Sequence, residues 1–113
     1  MKVAIVGSRS FDNYYHLASE LDKRKHEITE IVSGGARGAD ALAKKYAELN
    51  GITYTEFPAN WEKYGRSAGF RRNRDIVIYS DKTIAFWDGI SKGTAHTITL
   101  TENLGKKVEI ILV

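Results

Sequence analysis

Short apolar runs and amphipathic segments take turns along the chain. "KVAIVG" (2–7) is a continuous apolar run stopped by glycine, the mark of a strand covered on both faces, and in the segment after it Tyr15, Leu17, Ala18 and Leu21 fall at helical spacing. The order then repeats. "ITEIVSGG" (28–35) reads as strand and turn, and "DALAKKYAELNG" (40–51) as a helix with Leu42, Ala43, Tyr46, Ala47 and Leu49 inward, ended by Gly51. "ITYTEF" (52–57) alternates, which predicts a strand with one exposed face, and Pro58 opens a loop over "PANWEKYGRSAG" (58–69).

"GFRRNRDIVIYS" (69–80) admits two readings, because "DIVIYS" alone would suit a strand. A helix is preferred: it puts Arg72 and Asn73 on one face with Ile76 and Val77, and a strand this close to "KTIAFW" (82–87) would break the alternation of units. "KTIAFW" is then a fourth strand, "DGISKGT" (88–94) a glycine-bearing turn, "TAHTITLTENLG" (94–105) a helix despite its β-branched residues, and "KVEIILV" (107–113) a fifth strand. Strands alternating with helices predict an α/β fold, a Rossmann-like three-layer sandwich with a five-stranded mostly parallel sheet and helices on both faces. Its length fits one domain over 1–113.

Composition narrows the chemistry. At 42% hydrophobic and 27% charged residues the chain is ordinary for a globular protein. The net charge of +3 suits an anionic small ligand or weak nucleic-acid contact without deciding between them. With no cysteine and with His16, His26 and His96 scattered, no metal is expected, and no cofactor. The apolar run in "MKVAIVGSRSF" is too short for a signal peptide or a membrane span, so a cytoplasmic protein without membrane contact is the expectation.

In open parallel sheets ligands bind beyond the carboxyl ends of the strands, near the point where strand order reverses. Three glycine-bearing turns follow strands and are expected to converge there. The first carries Gly7, Ser8 and Arg9; the second Ser33, Gly34, Gly35, Arg37 and Gly38; the third Trp87, Asp88, Gly89, Ser91, Gly93 and Thr94. Each is expected to open a helix, whose N–H groups and dipole favour an anion. None matches a P-loop or a dinucleotide fingerprint. Glu56 stands where a ribose-binding carboxylate would, but beside a different glycine pattern it reads as a solvated strand residue.

"VGSRSF", "SGGARGADALA", "PANWEKYGRSAGFRRN" and "AFWDGISKGT", in this order and spacing, resemble the YspA-type (cpYpsA-related) branch of the SLOG superfamily, which groups Smf/DprA and LOG proteins. The resemblance covers nearly the whole chain. It implies a Rossmann-like domain binding a nucleotide or nucleotide-derived ligand at the strand ends. LOG enzymes cleave the base from a nucleoside monophosphate with a PGGxGTxxE motif whose arginine partner and final glutamate carry catalysis. Gly93 and Thr94 match its "GT", Thr97 stands in place of the glutamate, and Arg72 and Asn73 match the family's "RN". Glycosidic hydrolysis normally recruits a carboxylate, which Thr97 is not. An enzyme would have to use Asp88 or Asp40 instead.

Arg37 and Arg9 are candidates to fork onto a phosphate. Asp40 reads first as a helix N-cap. Trp61, in a loop with Asn60 and Tyr64, is placed as a lid, whereas Trp87 suits either base stacking or the core. His96 reads as a packing residue, and "DKRKHE" (22–27) as the solvated end of the first helix. The function expected is binding of a nucleotide-derived small molecule, to sense, carry or sequester it; the alternative is a nucleotide N-glycosidase. Single-stranded DNA binding is weaker still, because +3 is little charge for that task. A homodimer or higher homo-oligomer is expected through Phe70, Ile78 and Tyr79 on the helix at 69–80.

Overall fold

The computed structural model describes residues 1–113. Five strands, β1 (Lys2–Gly7), β2 (Glu30–Ser33), β3 (Thr53–Glu56), β4 (Lys82–Trp87) and β5 (Lys107–Leu112), form one sheet in the order β3-β2-β1-β4-β5. Every pairing is parallel, so the sheet is wholly rather than mostly parallel. The helices are α1 (Tyr14–Asp22), α2 (Ala39–Leu49), α3 (Trp61–Tyr64), α4 (Ala68–Tyr79) and α5 (Lys92–Asn103). None is long and apolar enough to cross a membrane.

The apolar runs take the central positions, where a strand must present hydrophobic side chains to both layers. On one face Val3, Ile5, Ile31, Ile84 and Phe86 meet Leu17 and Leu21 of α1 and Ala43, Tyr46 and Ala47 of α2. The other face is lined by smaller residues. Ala4 and Val32 pack on Ile76 of α4, and Val6 and Ala85 on Ile98 of α5. Beneath α5 the filling is partly threonine: the Thr101 hydroxyl donates to Thr83 Oγ1 at 2.9 Å, and the Thr97 hydroxyl to the Gly93 carbonyl at 3.1 Å. Those bonds let β-branched polar residues sit buried in a helix.

Several expected positions differ. Leu49, read as inward, is 66% exposed, and Tyr15, spaced with Leu17, Ala18 and Leu21, is 85% exposed, because each helix buries a narrower stripe than the apolar spacing spans. The loop over 58–69 contains α3 and a 3-10 turn (Gly65–Ser67). The segment 22–27 is solvated only in part: Asp22, Lys23, Lys25 and His26 are exposed, whereas Arg24 and Glu27 are half-buried. α1 stops at Asp22, and Arg24 and Glu27 join a charge network at the amino-terminal edge of the sheet. Its centre is Lys82, 1% exposed, whose ammonium donates to Glu27 at 3.0 Å and to Glu109 at 2.9 Å. Arg24 also donates to Glu109. Burial alone would raise the Glu109 carboxyl, but the bonds from Lys82 and Arg24 outweigh it and hold the group at about 2.

Candidate functional site

Strand order reverses between β1 and β4, so the chain leaves β1 toward the face of α1 and leaves β4 toward the face of α5. A cleft of about 690 Å³ opens between them. Of its seventeen lining residues only Val6, Ala36 and Ile76 are apolar, so it suits a ligand rich in polar groups.

Ser8 ties the three turns together. It is 2% exposed; its N–H donates to the Phe86 carbonyl at 3.1 Å, its carbonyl accepts from Ala39 N–H at 3.3 Å, and its hydroxyl accepts from Asp88 N–H at 3.2 Å. Ser8 therefore builds the cleft floor rather than reaching into it. Two glycines serve the same convergence. A Cβ on Gly7 would lie 2.4 Å from the Phe86 carbonyl oxygen, and one on Gly38, where φ is +77°, would lie 2.4 Å from the Ser8 carbonyl oxygen. Their missing side chains let turn pack on turn, a need distinct from both odd dihedrals and ligand approach.

The first turn does not open a helix at once. Phe11 is buried and stacks on Phe86 with ring centroids 5.6 Å apart, and α1 starts only at Tyr14, where the Asn13 side chain accepts from His16 N–H at 3.0 Å. That helix end is already capped by its own residue. The intervening Ser10 and Asp12 line the cleft, as do Arg9, Arg37, Ala36 and Thr97. Ser10, Asp12 and Thr97 were not among the expected ligand residues; Asn13, the N-cap that delays α1, was the feature that lengthened the first turn.

Asp40 is corrected from its reading as an N-cap. Gly38 occupies that position, and the Asp40 carboxylate, 8% exposed, turns back to accept from the N–H groups of Gly34 and Ala36, both at 3.2 Å. Burial pushes its carboxyl up to about 6, against the pull of those N–H groups and of Arg72 and Arg9. A carboxyl raised on folding binds more protons in the folded chain than in the unfolded one. Its charge therefore costs stability increasingly as pH rises from about 4 to about 6. Asp40→Asn is expected to gain on the wild type by up to about 3 kcal/mol between pH 4 and pH 7. Urea unfolding at the two pH values checks this, and a constant difference between the proteins would refute it.

On the far wall Asp88 Oδ1 accepts from Ile90 and Ser91 N–H, each at 2.8 Å, and these bonds hold its carboxyl below the ordinary range. Trp87 takes the core alternative of its two readings and does not line the cleft: its ring packs on the Val6, Ala85 and Ile98 cluster and its indole N–H donates to the Ser91 carbonyl at 3.0 Å. Gly89 lies in the same turn with φ +81° and outside the cleft lining. α5 then begins without a side-chain cap, with Ser91, Gly93 and Thr94 in the lining.

α4 supplies the remaining wall. Arg72 donates through Nη1 to the Gly34 carbonyl at 2.8 Å and through Nε to Asn73 Oδ1 at 3.1 Å, which fixes it between the second turn and the cleft. His96 packs edge-on against Phe70 at 4.5 Å, and burial lowers its imidazole. Gly34 and Gly35 are not in the main cleft. With Glu56, Pro58, Ala59 and Trp61 they line a second hollow of about 410 Å³, which shares Arg9, Ala36, Arg37 and Arg72 with the first. Asn60 lies in neither; its side chain caps α3 by accepting from Lys63 N–H at 3.1 Å. Ser33 is buried below, its hydroxyl 2.6 Å from the Tyr54 hydroxyl. No cluster of three His, Cys, Asp or Glu is arranged around a metal position.

Comparison with known proteins agrees with this architecture. Gene 61 protein of Mycobacterium phage D29 is 34% identical over 114 residues, covering 92% of this chain and 90% of the phage protein. DNA processing protein A (DprA) from Streptococcus pneumoniae superposes with a TM-score of 0.82 at 22% identity, over 99% of this chain and 50% of that one. DprA from Helicobacter pylori, whose structure describes a single-stranded DNA binding mode, gives 0.69 at 21% identity, over 97% of this chain and 64% of that one. The chain thus spans between half and two thirds of these DprA chains, and the likeness is one of fold. The YspA, cpYpsA-related SLOG family profile matches residues 1–64, and with the phage relative this shows that the chain belongs to that family.

Proposed function

We propose that the chain binds a nucleotide or nucleotide-derived anion in the cleft between β1 and β4, and senses, carries or sequesters it without turning it over. One observation carries this reading. Gly93 alone among the glycines has neither a positive φ nor any atom within 4 Å of where a Cβ would stand, and it lies in the uncapped first turn of α5 on the cleft wall. A glycine costs a helix about 1 kcal/mol relative to alanine, so its presence fits close approach of a ligand to the backbone. Arg9 and Arg37, which also line the cleft, pair with no carboxylate of the chain.

The test is thermal shift and calorimetry with AMP, GMP, CMP and UMP, with product analysis of the same mixtures. Stabilisation by at least one nucleotide with no free base is the expected result; binding by none overturns the reading. Release of base would favour the second reading, a nucleotide N-glycosidase, whose supporting observation is the buried Asp40 with its carboxyl near 6, a value suited to a general acid. Asp88 suits that role less, since its carboxyl is held below the ordinary range by the Ser91 and Ile90 N–H groups and stays ionised.

We also propose self-association through α4. Phe70 and Ile78 are 53% and 54% exposed, whereas Tyr79 is taken up inside the chain by Phe57 and by Glu30, to which its hydroxyl donates at 2.5 Å. Phe70→Glu is expected to shift the sedimentation of the wild type to that of a monomer; a monomeric wild type would refute the proposal.

A further inference from the structure

We propose that the ligand is two-ended: a nucleoside arm in the main cleft is joined through a diphosphate, lying against Arg9 and Arg37, to a second ring-bearing arm that occupies the hollow between Glu56 and Trp61. This rests on the reading of the main cleft as a nucleotide site. The two hollows are not separate features, because Arg9, Ala36, Arg37 and Arg72 belong to the walls of both. Arg72 is already bonded to Gly34 and Asn73, so it is the fixed part of the divide. Arg9 and Arg37 are exposed and free of carboxylate partners, so the charge available for phosphate is concentrated at the junction.

Past the junction the chemistry changes sign. Glu56 ends β3 and pairs with no cation. It is nevertheless held in place: the Tyr54 hydroxyl donates to Glu56 Oε1 at 3.0 Å and meets Ser33 Oγ at 2.6 Å. Burial, with Glu56 adding to it, pushes the Tyr54 hydroxyl up, so it remains a donor at neutral pH. Gly35 makes room for the carboxylate, since a Cβ there would lie 2.5 Å from Glu56 Cδ. An oriented carboxylate without a cation repels a further phosphate and accepts from hydroxyls, the recognition a sugar offers. Trp61, 55% exposed on the rim, presents an aromatic plane to a ring. The arm in this hollow is therefore uncharged, bears hydroxyl donors and carries a flat ring. The same carboxylate, with Asp12 and Asp88 in the main cleft, disfavours a continuous polyanion such as single-stranded DNA.

Calorimetry with AMP, with diadenosine diphosphate and with a deoxythymidylate dodecamer tests this. Diadenosine diphosphate is expected to bind about tenfold or more tighter than AMP. Glu56→Gln, which keeps the acceptor for Tyr54 and removes the charge, is expected to erase most of that preference, and Trp61→Ala to reduce it in the same way. Equal affinity for the two adenosine ligands, or a preference that survives both substitutions, overturns the two-ended ligand and leaves the mononucleotide reading standing. Failure of both adenosine ligands to bind overturns the two-ended ligand, and failure of GMP, CMP and UMP as well overturns the mononucleotide reading. Preferential binding of the dodecamer, sensitive to salt, overturns the proposal in favour of a strand-binding groove.

Discussion

Gly93→Val is expected to lower nucleotide affinity by about a hundredfold while leaving the thermal midpoint nearly unchanged. The affinity falls because a branched side chain at the second position of α5 would occupy the space through which a phosphate reaches the free N–H groups of the first turn, and losing two charge-assisted bonds is worth about 3 kcal/mol. The stability holds because nothing lies within 4 Å of the new Cβ and valine is no poorer a helix former than glycine. Gly93→Ala, adding only the Cβ, is expected to lose about tenfold. Gly38→Val supplies the contrast: φ is +77° and the Cβ would strike the Ser8 and Arg9 carbonyl oxygens, so that variant loses the packing of the turns themselves. Calorimetry with the tightest mononucleotide, set beside urea unfolding, reads both quantities. Wild-type affinity in Gly93→Val would remove the ligand from the cleft.

The largest loss of stability is expected at the other edge of the sheet. Lys82→Ala leaves Glu27 and Glu109 facing each other without their shared cation, and removing one partner of a buried ion pair is worth about 3 kcal/mol when, as here, the carboxylates keep some contact with water. Lys82→Met combined with Glu27→Gln and Glu109→Gln is expected to recover most of the loss, because no charge is then left unpaired. The wild type should also show acid sensitivity. The Glu109 carboxyl is lowered on folding, so its contribution is complete above the unfolded value near 4.5 and disappears as pH falls toward about 2. That part of the acid transition should be weaker in Lys82→Ala. Urea unfolding from pH 2 to pH 7 measures it, and identical pH profiles would refute the account.

The alternation of units carried the architecture well because period and burial coincide in parallel sheets. Central β1 and β4 are continuous apolar runs, edge β3 is exposed at both ends and only half-buried at Tyr54 and Thr55 rather than alternating, and the helical face shared by Arg72, Asn73, Ile76 and Val77 formed as spaced. Residues whose role depends on a distant partner were not legible. Lys82 opens an apolar strand and looks like its polar boundary; only Glu27 and Glu109, from a 3-10 turn and from β5, make it an interior residue. Asp40 looks like a cap because aspartate favours that position, yet Gly38 with its positive φ starts the helix earlier and leaves the carboxylate to close the preceding loop. Trp87, which ends a strand, suits either base stacking or the core by sequence alone, and what decides is that its ring packs on Val6, Ala85 and Ile98 while the Ser91 carbonyl takes its indole N–H.

The Lys82 network and the cleft sit at opposite ends of the same strands. β4 begins at Lys82 and ends at Trp87, about 17 Å further along at strand rise. Divergence in this lineage therefore has two nearly independent surfaces to act upon. Substitutions in the turns can alter which ligand is accepted while the opposite rim continues to fasten β4 to β5, and substitutions at that rim can tune tolerance to acid without touching recognition.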